Sequence, residues 1–169
     1  REKPPEAGVR AGSCMVATGH PLAARTALKI LNDGGTAVDA AVAADAVLGV
    51  VEPMATGIGG DLLAMIVEAD GRATSYNGTG RAPAALSAEM VGALPDRRIP
   101  DRHVLSVTTP GAVRGWHDLH RRYGRLAFAD LLAPAIRVAE EGFAVAPVCA
   151  GEWRFFAGVI AREPVAARL

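Results

Sequence analysis

Aromatic side chains are scarce in this chain: Phe, Trp and Tyr supply 5% of the residues, although half of all residues are hydrophobic. A core built on large rings is therefore excluded, and Ala, Val and Leu must fill it, which favours close helix packing. A charge excess is missing too. The 18 Lys and Arg residues balance 18 Asp and Glu residues, so the chain lacks the electrostatic footprint of a nucleic-acid or anionic-membrane binder. Arg far outnumbers Lys, and the arginines around Arg97 to Arg125 and Arg154 to Arg168 read as solvated helix faces. Cys14 and Cys149 are the only cysteines. They have no His at ligand spacing and nothing that supports a disulfide, so they read as two ordinary buried or half-buried thiols. A membrane span is also lacking: the longest apolar stretch, Ala40 to Val51, is interrupted by Asp45 and too short to cross a bilayer. The opening REKPPEAG is charged and proline-rich, unlike a signal peptide. Residues 1–12 are expected to be a flexible segment of a soluble protein, cytoplasmic if no leader precedes Arg1 and periplasmic or secreted otherwise.

What the chain does contain is a readable run of elements. Ser13 to Thr18 suits a buried strand. Gly19, His20 and Pro21 turn it into a helix reaching about Asn32, with Pro21 at the first helical position and Leu22, Ala23, Ala27, Ile30 and Leu31 on one face. Gly34 and Gly35 end that helix, one of them left-handed. Thr36 caps the next, with Asp39 completing a near capping box. Residues Ala37 to about Val50 are apolar nearly all round, as in a helix buried between layers. After Glu52-Pro53 and the loop Gly57-Ile58-Gly59-Gly60, a hairpin is expected: Leu62 to Glu68, a turn at Asp70-Gly71, and Arg72 to Asn77. Further on come a loop through Gly78, Gly80 and Pro83, a short helix over Ser87 to Leu94, and a strand over Val104 to Thr108. Helices follow over Gly111 to Tyr123, Phe128 to Glu141 with Pro134 either kinking it or starting another, and Pro147 to Ala161. Two antiparallel strands beside helices predict a layered α/β fold.

Three blocks occur in fixed order: GHPLAA at 19–24, GG-T-AVDAAVAA at 34–44, and VEP followed by GIGG at 57–60. With GRAPA at 80–84, SVTTPGAVRGW at 106–116 and YGRLAFADLLAPAIRVAEEGFAV at 123–145, they make residues 13–148 resemble the gamma-glutamyltranspeptidase family. The family likeness implies a four-layer αββα sandwich of the N-terminal-nucleophile hydrolases, in which a precursor cleaves itself into large and small subunits. It also implies that the nucleophile is the Thr opening the small subunit. Residues 13–169 would then be the N-terminal portion of the large subunit, with no catalytic nucleophile of their own. The expected partners are the small subunit and the remainder of the large one, and neither metal nor organic cofactor is implied.

The glycine loop with its following acid, Gly59, Gly60 and Asp61, invites a phosphate-cradle reading. Phosphate loops lead into a helix, however, and this one leads into a strand. Family likeness places it instead at the active-site rim. Where many transpeptidases have further glycines and an aromatic, this chain has Asp61-Leu62-Leu63, similar to a branch often labelled acylases. In YNGTGRAP, Thr79 stands where the transpeptidases carry the Arg that binds the α-carboxylate of the γ-glutamyl group. A neutral hydroxyl cannot replace that bidentate contact. Arg81 faces the same side as residue 79 if the segment is extended, and is either a second route to that carboxylate or a solvated, structurally paired arginine. Asn77 and Tyr76 are candidates for the same wall, or else turn and packing residues. His20 reads as a local cap and His103 as a loop residue. His117 and His120, one turn apart beside Asp118, lack a third metal ligand and read as a solvated face.

The expected reaction is cleavage of a γ-glutamyl amide such as glutathione, with transfer of the acyl group to water or an amino acid. Cephalosporin-type or other amide acylase chemistry is the alternative within the family, and a non-catalytic binding or structural module the alternative outside it.

Overall fold

The computed structural model describes residues 12–101, 103–162 and 168; apart from Gly12, the expected flexible segment 1–12 lies outside the described residues. Helix α1, Pro21–Asn32, starts with Pro21 in its first turn, and the Leu22 N–H donates to His20 Nδ1 at 3.1 Å. Gly34, at φ +89°, turns the chain out of α1, a conformation that glycine adopts without cost. Helix α2, Ala37–Val51, opens on the anticipated capping box, in which Asp39 N–H donates to Thr36 Oγ1 and Thr36 N–H to Asp39 Oδ2.

Helix α2 is the centre of the molecule. It packs on α1, on α4 (Ala112–Tyr123) and on α5 (Phe128–Glu141). Its small side chains, Ala40, Ala43, Ala44 and Ala46, are buried together with Val42, Val47 and Val51. Facing it are Ala23, Ala27 and Ile30 from α1, Trp116 and Leu119 from α4, and Leu131 and Ala135 from α5. Pro134 lies inside α5. Burial of Leu131 and Ala135 against α2 holds the helix continuous across the one hydrogen bond that the proline cannot make.

Strand β1, Leu62–Val67, pairs antiparallel with β2, Ala73–Gly78, from Leu62 opposite Gly78 to Val67 opposite Ala73. The turn carries Gly71 at φ +85°. Leu62, Ala64, Ile66 and Tyr76 pack on the helical core. The other face is bare: Leu63, Met65 and Val67 are 73, 76 and 65% exposed. The architecture is thus the layered mixture of helix and antiparallel strand expected, with helices covering one face of the hairpin. A short helix α3, Ala88–Gly92, and a last helix α6, Pro147–Ile160, complete the described α-helices. Both cysteines are free, Cys14 half-buried and Cys149 buried.

Two expected strands are corrected. Residues 13–18 run without regular structure, although Cys14, Val16 and Thr18 turn inward while Met15 and Ala17 stay exposed. The period-two pattern is there, but no described strand lies beside it to complete a ladder. Val104–Ser106 form a 3-10 turn instead of opening a strand. His103 dictates this: its Nδ1 accepts from Leu105 N–H and its carbonyl from Ser106 N–H and Oγ. Local bonds of this kind compete directly with a ladder.

Candidate functional site

Three segments distant in sequence meet beyond the end of α2, where Glu52 closes the helix. The first is the glycine loop. Gly60 N–H donates to the Gly57 carbonyl, and the Gly60 carbonyl accepts from both Gly111 and Ala112 N–H at 3.0 Å. Those donors open α4, where a helix leaves its first N–H groups without partners. The loop therefore supplies the cap that Gly111, lacking a side chain, cannot provide.

The second segment follows β2. Asn77 Oδ1 accepts from Thr79 N–H at 2.9 Å, and Gly80 N–H donates to Asp61 Oδ1 at 2.9 Å. The third runs into α4. Thr108 Oγ1 donates to the same Asp61 oxygen at 3.3 Å, and Thr109 N–H to the Arg81 carbonyl at 3.0 Å. Backbones press together here so closely that a Cβ on Gly80 would overlap the Thr109 carbonyl, and one on Gly111 the Gly78 carbonyl. The glycines of GTGRAP and TTPGAVRGW are thus matched halves of one contact.

The structure joins Asn77, Thr79, Asp61 and Gly60 through this network, with Gly59 in the same loop. All are exposed, as is Arg81. Thr79 and Arg81 flank the half-buried Gly80. No carboxylate among the described residues pairs with the Arg81 guanidinium. Tyr76 faces the other way: its hydroxyl donates to Asp118 Oδ2 at 3.0 Å, tying β2 to α4. Arg114 donates to both oxygens of Asp118 at 2.9 Å. That hydrogen bond above all holds the Asp118 carboxyl below its ordinary range, while burial, then the Asp118 contact, pushes the Tyr76 phenol up.

Two acids inside α2 carry more than their positions announce. Asp45 accepts from Trp116 Nε1 at 2.8 Å and Thr56 Oγ1 at 3.3 Å, bracing α4 and the approach to the glycine loop. Its one sequence signal is a charge in an otherwise apolar helix, which demands partners. Asp39 is fully buried. Beyond its capping box, its Oδ2 accepts from Arg125 and Leu126 N–H at 2.9 and 3.3 Å. His120 corrects the expected solvated face: its Nε2 lies 2.8 Å from the Leu126 carbonyl and 3.9 Å from Asp39 Oδ1, and its ring packs on Phe128. His117 is half-exposed on the same helix. His20 and His103 cap local N–H groups. Among the described residues no group of three or more His, Cys, Asp or Glu could hold a metal ion, and no helix is long and apolar enough to cross a membrane.

A separate groove of about 390 Å³ runs along β1 over the Ala37, Ala41 and Asp45 side of α2. Asn77, Thr79 and Arg81 do not line it.

Comparison with known proteins converges on one family. Residues 23–169 match the profile described as gamma-glutamyltranspeptidase. The chain is 41% identical over 172 residues to the acylase ACY 1 proenzyme of Pseudomonas sp. (strain SE83), covering 96% of this chain and 30% of that protein. It is 39% identical over 144 residues to the glutathione hydrolase-like YwrD proenzyme of Bacillus subtilis (strain 168), covering 83% of this chain and 26% of that one. The crystal structure of cephalosporin acylase from Bacillus halodurans superposes with a TM-score of 0.79 at 39% identity, over 94% of this chain and 31% of that one. The chain therefore spans less than a third of the length of these relatives.

Proposed function

The chain belongs to the gamma-glutamyltranspeptidase family, whose relatives of this chain include glutathione hydrolases and acylases, and from that premise we propose that it is the N-terminal portion of the large subunit of an amide-cleaving enzyme acting on γ-glutamyl substrates such as glutathione. The nucleophile in this reading is a Thr opening the small subunit, on polypeptide outside residues 1–169. Its hydroxyl attacks the amide carbonyl, its own α-amine takes the hydroxyl proton, and backbone N–H groups stabilise the oxyanion. The leaving amine departs with a proton, and water or an amino acid then takes the acyl group from the Thr ester. Residues 1–169 supply the wall that recognises the acyl group, with Asn77, Thr79 and Arg81 on it and Gly59, Gly60 and Asp61 at its rim.

The observation that carries this reading is Arg81: an exposed guanidinium without a described carboxylate partner, on a backbone held at Gly80 N–H and at its own carbonyl. Such a group is suited to a substrate carboxylate. In the enzyme together with its small subunit, Arg81→Ala is expected to lower kcat/KM for a γ-glutamyl anilide by about 2 to 3 kcal/mol, and to leave the analogue without the α-carboxylate nearly unchanged. Equal loss on both substrates would reject the carboxylate role. One observation favours a second reading: Thr79 puts a neutral hydroxyl where the resembled transpeptidases have their arginine. No loss on either substrate, with turnover of a cephalosporin-type side-chain amide, would identify an acylase with a neutral acyl pocket.

A further inference from the structure

We propose that Asp61 is a positioning residue for acyl-group recognition, holding Gly80 so that Thr79 and Arg81 on either side of it are presented together at the rim; this rests on the reading of Arg81 given above. Asp61 Oδ1 accepts from Gly80 N–H at 2.9 Å and Thr108 Oγ1 at 3.3 Å. The same two-residue stretch is fixed from its other end, where the Arg81 carbonyl accepts from Thr109 N–H. Gly80 is pressed on the Thr109 carbonyl, where no side chain fits. The backbone on both sides of the Arg81 Cα is thus anchored while its side chain stays exposed. A recognition group gains most from such anchoring, because small misplacements forfeit a directional contact.

Asp61 reaches across from the glycine loop, 19 residues earlier in the chain than Gly80. No local turn could do this. Its contacts go to an amide and a hydroxyl, so the position requires an acceptor oxygen rather than a negative charge. Asparagine keeps the acceptor and removes the charge, whereas alanine removes both.

The test compares Asp61→Ala and Asp61→Asn in the enzyme purified with its small subunit. D61A should raise KM for a γ-glutamyl anilide about tenfold, change kcat no more than about threefold, and leave the analogue lacking the α-carboxylate unaffected. D61N should match the parent on both substrates. Hydrogen exchange of a peptide covering residues 77–83 should accelerate in D61A and not in D61N. Unchanged exchange in D61A, or equal kinetic losses on the two substrates, overturns the proposal. Faster exchange in D61A in a protein whose parent form turns over no γ-glutamyl substrate supports the clamp at Gly80 and overturns the γ-glutamyl reading, so the two failures are distinct.

Discussion

At the residue scale, Asp39 shows how much a single side chain can hold. A fully buried carboxylate survives only with donors around it, and Thr36, Arg125 and Leu126 N–H all converge on Oδ2. Oδ1 has no hydrogen-bond partner and lies 3.9 Å from His120 Nε2. Asp39→Ala would strand three backbone donors, and should destabilise the chain by about 3 kcal/mol or more, read from the urea midpoint. Asp39→Asn retains an oxygen for those donors and should cost markedly less. An equal cost for both would assign the stabilisation to charge. The capping box was legible in the sequence because Thr36 and Asp39 are three residues apart. Asp39's hold on residues 125 and 126 was not, since no local pattern reports a partner 86 residues away. For the same reason Asp61 could be placed in a rim loop but its bond to Gly80 could not be foreseen.

At the element scale, the helices were legible from punctuation. Pro21, Gly34, Thr36 and Gly124 each end or begin one where expected. Strands were legible only where both partners lie in one hairpin; residues 13–18 and 104–108 carry strand-like composition without a described neighbour. The tie between β2 and α4 makes a pH prediction. Asp118, with its carboxyl held down by Arg114, contributes stability that is present above the ordinary aspartate range and lost as pH falls through its lowered value. Tyr76, pushed up, contributes stability that is complete below the ordinary phenol range and lost as pH rises through its raised value. Melting temperature should therefore fall on both sides. Tyr76→Phe should weaken the alkaline fall and keep most of the acid one, because the Arg114 contact, the largest cause of the lowered Asp118 carboxyl, remains while the smaller Tyr76 contribution is lost. A profile unchanged in Tyr76→Phe would show that the phenol is not linked to folding.

At the scale of the whole molecule, the uncovered hairpin face dominates. Leu63, Met65 and Val67 present adjacent apolar side chains to water, and soluble monomers rarely carry such a patch uncovered. Residues 1–169 purified alone should associate, seen as a concentration-dependent rise in mass by light scattering. Met65→Lys should suppress that association without lowering the helical signal in circular dichroism. A monodisperse parent chain with no rise in mass on concentration would contradict the expectation. The same purified chain should not turn over a γ-glutamyl anilide above a denatured control.

The long span of the Asp39 contacts bears on the order of folding. Helices α1 and α2 meet across a short connection, and their turn and caps are complete by Asp39. Even so, the Asp39 carboxylate has only Thr36 to bond until residues 125 and 126 have been synthesised and have docked. Until then, its burial is opposed by desolvation. Closure of a contact spanning 86 residues is therefore expected late in folding, and the hydrogen bonding at the start of α2 cannot be completed before the segment between α4 and α5 has docked on it.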